Sequence, residues 1–164
     1  MKICLFLIML IILIPFSSYN ANAEELSNEL TVTQYIKQHY ETGKKLDVSN
    51  YKIMLPASIQ LIINDTNETI FLKLDKEGIL SLPESMRQAD LEIKTNNNVF
   101  FKLVENEKKF NDVEIKKYIE EKKIDVVANS FKAQVATNVL EEKLGIKIVN
   151  KKSFMQRTIS FLIA

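Results

Sequence analysis

The sequence predicts an α+β fold: an antiparallel meander sheet of about five strands with helices covering one face. Three observations predict it. The apolar residues recur with a helical period before about residue 43, switch to strict alternation between residues 57 and 95, and return to a helical period afterwards. Turn residues separate the alternating runs. Caps of the right type stand at the ends of the later helical runs.

In chain order, "TVTQYIKQHYET" (31–42) places Val32, Tyr35, Ile36 and Tyr40 or His39 near one helical face, and Gly43 stops the helix. In "ASIQLIIN", Ile59, Leu61 and Ile63 alternate with Ser58, Gln60 and Asn64. In "TIFLKLD", Ile70, Leu72 and Leu74 alternate with Thr69, Phe71, Lys73 and Asp75. Period two means strands, and the polar "NDTNE" between them means a hairpin loop. "DKEG" supplies Gly78 where a positive φ is cheap, and the short strand "ILSL" runs to Pro83. "ADLEIKT" alternates again with Leu91 and Ile93, so four consecutive strands read most simply as a meander. Ile62, Phe71 and Leu80 or Leu82 are expected on the opposite face.

"NNNVFFKLVENEKK" offers Asn98 as a cap with Val99, Phe100, Leu103 and Val104 on one side, and "NDVEIKKYIEEKK" starts at Asn111 or Asp112 and carries Val113, Ile115, Tyr118 and Ile119. "IDVVANS" is the fifth strand. "SFKAQVATNVLEEKLG" is a long helix capped by Ser130, with Phe131, Val135, Ala136, Val139, Leu140 and Leu144 apolar and Gly145 just past its end. Strands first and helices after give a layered α+β arrangement.

Residues 1–23 have the layout of a secretory signal peptide: Lys2, an apolar run from Ile3 to Ile14, and Ala21-Asn22-Ala23 before Glu24. The run is shorter than the roughly 20 residues that span a bilayer. Cleavage after Ala23 is expected, giving a secreted or extracytoplasmic chain; retention would make it membrane-anchored. Cleavage also removes Cys4, the only cysteine, and Lys2. The 22 basic residues become 21 against 21 acidic ones, a net charge of zero that argues against nucleic acid as a partner. Residues 24–150 form one domain, and the apolar tail 151–164 follows.

Chemistry has little to work with. His39 is the only histidine, so no histidine pair exists for zinc and no metal is expected. Gly43, Gly78 and Gly145 fall at turns and helix ends, leaving none for a phosphate loop. The acid pairs Glu24-Glu25, Glu120-Glu121 and Glu141-Glu142 stand beside lysines and read as solvated helix surface. No catalytic residue and no cofactor is expected, and the chain reads as a non-enzyme. Asn64-Asp65-Thr66 and Asn67-Glu68-Thr69 fit N-glycosylation acceptors at Asn64 and Asn67, although a tight turn favours the same residues.

The segment "IQLIINDTNETIFLKLDKEGILSLPESMRQADLEIKTNNNVFFKLVEN" resembles the sterol carrier protein type 2-like domain, with "DKEGIL" at that family's turn and "ADLEIK", containing Ala89 and Asp90, at its second landmark. "KKIDVVANSFKAQVATNVLEEKLGI" looks like its later strand and closing helix, so the resemblance covers about residues 31–149. It implies a non-catalytic domain that encloses an apolar tunnel and binds sterols, acyl chains or phospholipids. On this reading Ile59, Leu61, Ile63, Ile70, Leu72, Leu74, Leu91 and Ile93 from the strands, with Phe100, Leu103, Phe131, Val135 and Leu140 from the helices, line a cavity for an apolar lipid-like ligand. Familiar members are intracellular, unlike a chain with an export signal, so compartment and physiological ligand do not carry over. The alternatives are a plain packed core, or an extracytoplasmic interaction module with an apolar patch on the outer sheet face. The tail "KKSFMQRTISFLIA" is too short to span a bilayer and either packs on the domain or contacts a membrane surface.

Overall fold

A computed structural model describes residues 30–39, 43, 45, 55–105 and 112–147. The expected signal segment 1–23, Tyr40 and the side chain of His39, and the tail from 151 onward lie outside the described residues. The elements run α1 (Val32–His39), β1 (Ala57–Ile63), β2 (Glu68–Leu74), β3 (Leu80–Ser81), β4 (Leu91–Thr95), α2 (Asn97–Glu105), α3 (Asp112–Glu120), β5 (Asp125–Ala128) and α4 (Phe131–Leu144).

The five strands form one mixed sheet in the order β3-β2-β1-β4-β5. β1 and β2 pair antiparallel from Ala57 opposite Leu74 to Ile63 opposite Glu68, and β3 and β5 are also antiparallel to their neighbours. The expected four-strand meander is corrected at its last step. β4 lies parallel to β1, with Ile59 opposite Leu91 and Ile63 opposite Thr95. The reason is the length of the available partner: β3 offers two residues before Pro83, whereas the free edge of β1 pairs with all five residues of β4.

One face of this sheet is apolar across its width. Ile59, Leu61, Ile63, Ile70, Leu72, Leu74, Leu80, Leu91, Ile93, Val126 and Ala128 belong to a single buried cluster with residues of all four helices. Of Leu80 and Leu82, offered as alternatives for the outer face, Leu80 points inward and Leu82 packs partly buried against the cluster, while Ile62 and Phe71 sit half-buried on the outer side.

Both connections after β1 and β2 are built on aspartates and glutamates that accept from backbone. In the second turn, the Asp75 carboxylate accepts from Glu77 N (2.8 Å) and Ile79 N (2.9 Å), and Gly78 takes φ 83° as its position requires. In the first, residues 64–67 turn with Asn67 at φ 55°, and the flanking acids reach two separate helices. Asp65 accepts from Asn97 N at 2.9 Å and 3.1 Å, so α2 begins at Asn97 and is capped from the hairpin instead of by the expected Asn98. Glu68 accepts from Thr33 N at 2.8 Å at the start of α1. There Thr31 and Gln34 also bond reciprocally, Gln34 N to Thr31 Oγ1 and Thr31 N to Gln34 Oε1. A carboxylate on free N–H groups at a helix N-terminus satisfies orphan donors and meets the positive end of the helix dipole.

Partial burial pushes the Glu68 carboxyl up, but the bonds it accepts from Thr33, Thr66 and Thr31 outweigh this and hold it below the ordinary glutamate value. A carboxyl depressed in the folded state adds stability that is present above its unfolded pKa, about 4.3, and is lost as pH falls through the folded value. Glu68→Gln is therefore expected to lower stability at pH 7 and to flatten its decline below about pH 4.3. Urea midpoints measured from pH 7 to pH 3 check this; parallel curves for the two proteins would exclude the role.

Candidate functional site

The layer between the apolar sheet face and the helices is the place where the chain gathers the residues expected to line a ligand site. All eight strand residues named from the sequence, Ile59, Leu61, Ile63, Ile70, Leu72, Leu74, Leu91 and Ile93, face this layer and are buried. They converge because alternation along β1, β2 and β4 turns every second side chain to the same side, and the registers align Ile59 with Leu72 and Leu91, and Leu61 with Ile70 and Ile93.

From the helices, Phe100 and Leu140 enter the same cluster. Leu103 is buried on α2 but stands outside that contiguous cluster. Phe131 and Val135 are corrected: they are 80% and 39% exposed and lie on the outer face of α4. The buried stripe of α4 is Ala133, Ala136, Thr137, Leu140 and Leu144. The cap at Ser130, which accepts from Ala133 N, begins the helix where expected, but small residues let α4 sit close to the sheet and so decide which side faces inward.

The layer also holds Phe101, which the sequence pattern does not single out, and Tyr35, which it places on a helix face only. Tyr35, Phe100 and Phe101 form a three-ring cluster, with centroids 6.0 Å apart for Tyr35 and Phe100, 5.4 Å for Tyr35 and Phe101, and 5.3 Å for Phe100 and Phe101. All three pairs are edge-to-face, the arrangement that sets a positive ring edge against a negative ring face. A single helical stripe holds 100, 103 and 104 and does not point to Phe101, whereas α2 buries Val99, Phe100, Phe101, Leu103 and Val104. Five apolar residues among the six of "VFFKLV" are the available signal.

Two of the buried polar side chains bond to backbone carbonyls. Thr95 gives its hydroxyl to the carbonyl of Lys123 (3.0 Å), and Thr137 gives its own to the carbonyls of Ala133 and Gln134 (3.0 Å each). Every acid and base that the structure describes is half-buried or exposed. Glu120 and Glu121 face Lys116 and Lys117 one helical turn away, at 3.8 Å and 3.9 Å. Among the described residues no group of three or more potential metal ligands comes together, and no helix is long and apolar enough to cross a membrane.

At one corner the layer is fastened by a polar junction that the sequence reading did not identify. The Asp90 carboxylate accepts from Ser58 N (3.0 Å) and Ser58 Oγ (2.9 Å), while Ser58 Oγ accepts from Asp90 N (2.9 Å). Lys132 of α4 pairs with the same carboxylate at 3.2 Å and donates to the carbonyl of Pro56. The backbone N of Asn129 donates to the Asp90 carbonyl at 2.7 Å. Asn64 and Asn67 are exposed at the hairpin tip, and the Thr66 hydroxyl of the first triplet donates to Glu68 Oε1 at 2.6 Å.

No family model matches the chain, and no curated protein matches it. Solved structures do. The inverting sec-alkylsulfatase Pisa1 from Pseudomonas sp. aligns with a TM-score of 0.47 and 15% identity over 76% of this chain, but over only 19% of its own. The UbiJ-SCP2 ubiquinone synthesis protein aligns with a TM-score of 0.41 and 11% identity over 60% of this chain and 79% of that one. Apo sterol carrier protein 2 from Yarrowia lipolytica aligns with a TM-score of 0.33 and 23% identity over 52% of this chain and 66% of that one. At these scores the likeness carries no function, which rests on the chain's own residues.

Proposed function

We propose that this chain is an exported, non-catalytic domain that holds an acyl or sterol-like ligand between its apolar sheet face and its helices. The observation that carries the reading is the composition of that layer: eleven apolar strand residues and the facing helix residues, with the threonine hydroxyls committed to backbone carbonyls. Such a lining favours apolar surface, at about 25 cal/mol per Å² before association costs, and selects weakly among shapes. The function is then uptake, shielding and release of a lipid with loose specificity. The resemblance of the strand segment to sterol carrier protein type 2-like domains supports the same reading.

Purified protein is expected to carry lipid in native mass spectrometry and to bind a fluorescent fatty acid. Leu140→Phe adds bulk from α4 into the layer. Where a ligand space exists, this substitution lowers fatty-acid binding several-fold and changes the unfolding free energy by less than about 1 kcal/mol; in a filled core it costs about 1–3 kcal/mol by overpacking. A wild type that binds no probe would sink the lipid reading.

The edge-to-face cluster of Tyr35, Phe100 and Phe101 favours a second reading, a closed core serving an interaction module. Its outward surface would be the sheet face carrying Ile62, Phe71 and Val127. Export and modification belong to the same proposal. The mature chain begins at Glu24, and glycans, where the host attaches them, sit on Asn64 or Asn67; intact mass before and after enzymatic deglycosylation reads both.

A further inference from the structure

Of the helices over the apolar face, α1 is the one that the chain itself ties least to the sheet. α2 starts at Asn97, directly after β4 ends at Thr95; α3 leads into β5 through residues 121–124, and α4 follows β5 from Ala128 to Phe131. The Thr95 hydroxyl on the Lys123 carbonyl and Lys132 on Asp90 fasten those junctions. α1 precedes the sheet in the chain and has 8 residues, a length of about 12 Å. It rests on β2 and α2 with Val32, Tyr35 and Ile36 buried.

Polar contacts hold α1 at its start and beyond its end. At its start stands the β1–β2 hairpin tip, which is itself anchored on the β4–α2 junction: Asn64 N donates to the Thr95 carbonyl at 2.9 Å, and Asp65 accepts from Asn97 N at 2.9 Å. From that fixed point Glu68 uses both carboxylate oxygens, Oε1 accepting from the Thr66 hydroxyl at 2.6 Å and Oε2 from Thr33 N at 2.8 Å. Beyond the other end of α1, Gly43 N donates to the Leu80 carbonyl at 2.9 Å, Gly43 takes φ 91°, and Lys45 bridges antiparallel to Ile79 beside β3.

We infer that α1 is a lid on the apolar layer, latched by Glu68 at its N-terminal end and hinged where the chain rejoins the sheet at Gly43. Glu68 is half-buried, so water can replace its bond to Thr33 N, while burial of Val32, Tyr35 and Ile36 closes the helix again. Lifting α1 parts Tyr35 from Phe100 and Phe101 and uncovers the inward residues of β2. Passage of a ligand beneath α1 rests on the lipid reading; the latch does not.

The test joins amide hydrogen exchange to the release rate of a pyrene-labelled fatty acid. In the wild type, the Tyr35 and Ile36 amides are expected to exchange through an opening that leaves Leu61 and Ile93 protected. Glu68→Ala removes the latch and is expected to speed that exchange about tenfold, as loss of a capping side chain does, without changing Leu61 or Ile93. Probe release is expected to quicken by the same factor at nearly constant Kd, because entry and exit share one opening. Lys132→Met, at the far corner, is expected to change neither rate. Tyr35 and Ile36 exchanging only together with Leu61 and Ile93, or Glu68→Ala speeding all four alike, would overturn the lid. Faster exchange with unaltered release would remove α1 as the route. A wild type that binds no probe sinks the lipid reading, and the exchange pattern alone then decides the latch.

Discussion

Phe101→Ala is expected to destabilise the domain by about 3–5 kcal/mol, the cost of a fully buried phenylalanine truncated in a core that relaxes only partly. Phe101 is fully buried at the junction of α1 and α2, in edge contact with both Tyr35 and Phe100. Its removal strips two ring contacts at once and leaves a void between the helices and the sheet. A domain of this size has a total stability of about 5–15 kcal/mol, so the variant stands near its unfolding threshold. Urea denaturation followed by far-UV circular dichroism reads the loss. A change below about 1 kcal/mol would mean that the rings border an open space into which the neighbours can move, and that outcome would favour the ligand-holding reading over the closed core.

Asp90→Ala is expected to cost about 2–3 kcal/mol, more than an exposed ion pair warrants. The carboxylate accepts from the backbone and the hydroxyl of Ser58 as well as from Lys132. These bonds tie the start of β1 to the start of its parallel partner β4, and both to the first turn of α4. Lys132→Met removes only the partly exposed ion pair and its bond to the Pro56 carbonyl, and is expected to cost about 1 kcal/mol. The two changes combined should fall short of their sum, because they share a partner. If Asp90→Ala cost no more than Lys132→Met, the Ser58 bonds would be without weight and the junction merely a surface ion pair.

Both variants act at residues whose partners the sequence does not reveal. Asp90 stands in the segment "ADLEIK", but nothing in the sequence pairs it with Ser58, 32 residues earlier. Phe101 was hidden because periodicity finds one stripe, and α2 buries more than one. The glycosylation triplets were legible as motifs, yet the acids inside and beside them, Asp65 and Glu68, turned out to cap α2 and α1. A motif scan reads neighbours along the chain, and those caps are neighbours only in space.

What the sequence by itself determined was the type of each described element, which residues of β1, β2 and β4 face inward, and the punctuation at Gly78, Ser130 and Gly145. These are local matters: alternation fixes the side of a strand residue, and caps and positive-φ glycines act within a few positions. Tertiary structure decided the rest. It placed β4 beside β1 because that edge pairs five residues where β3 offers two. It turned Ala133, Ala136 and Thr137 inward and Phe131 and Val135 outward because close packing against the sheet favours small side chains over the most apolar ones. Strand order and helix rotation depend on which distant surface is free to be covered, a quantity fixed only once the other elements have assembled.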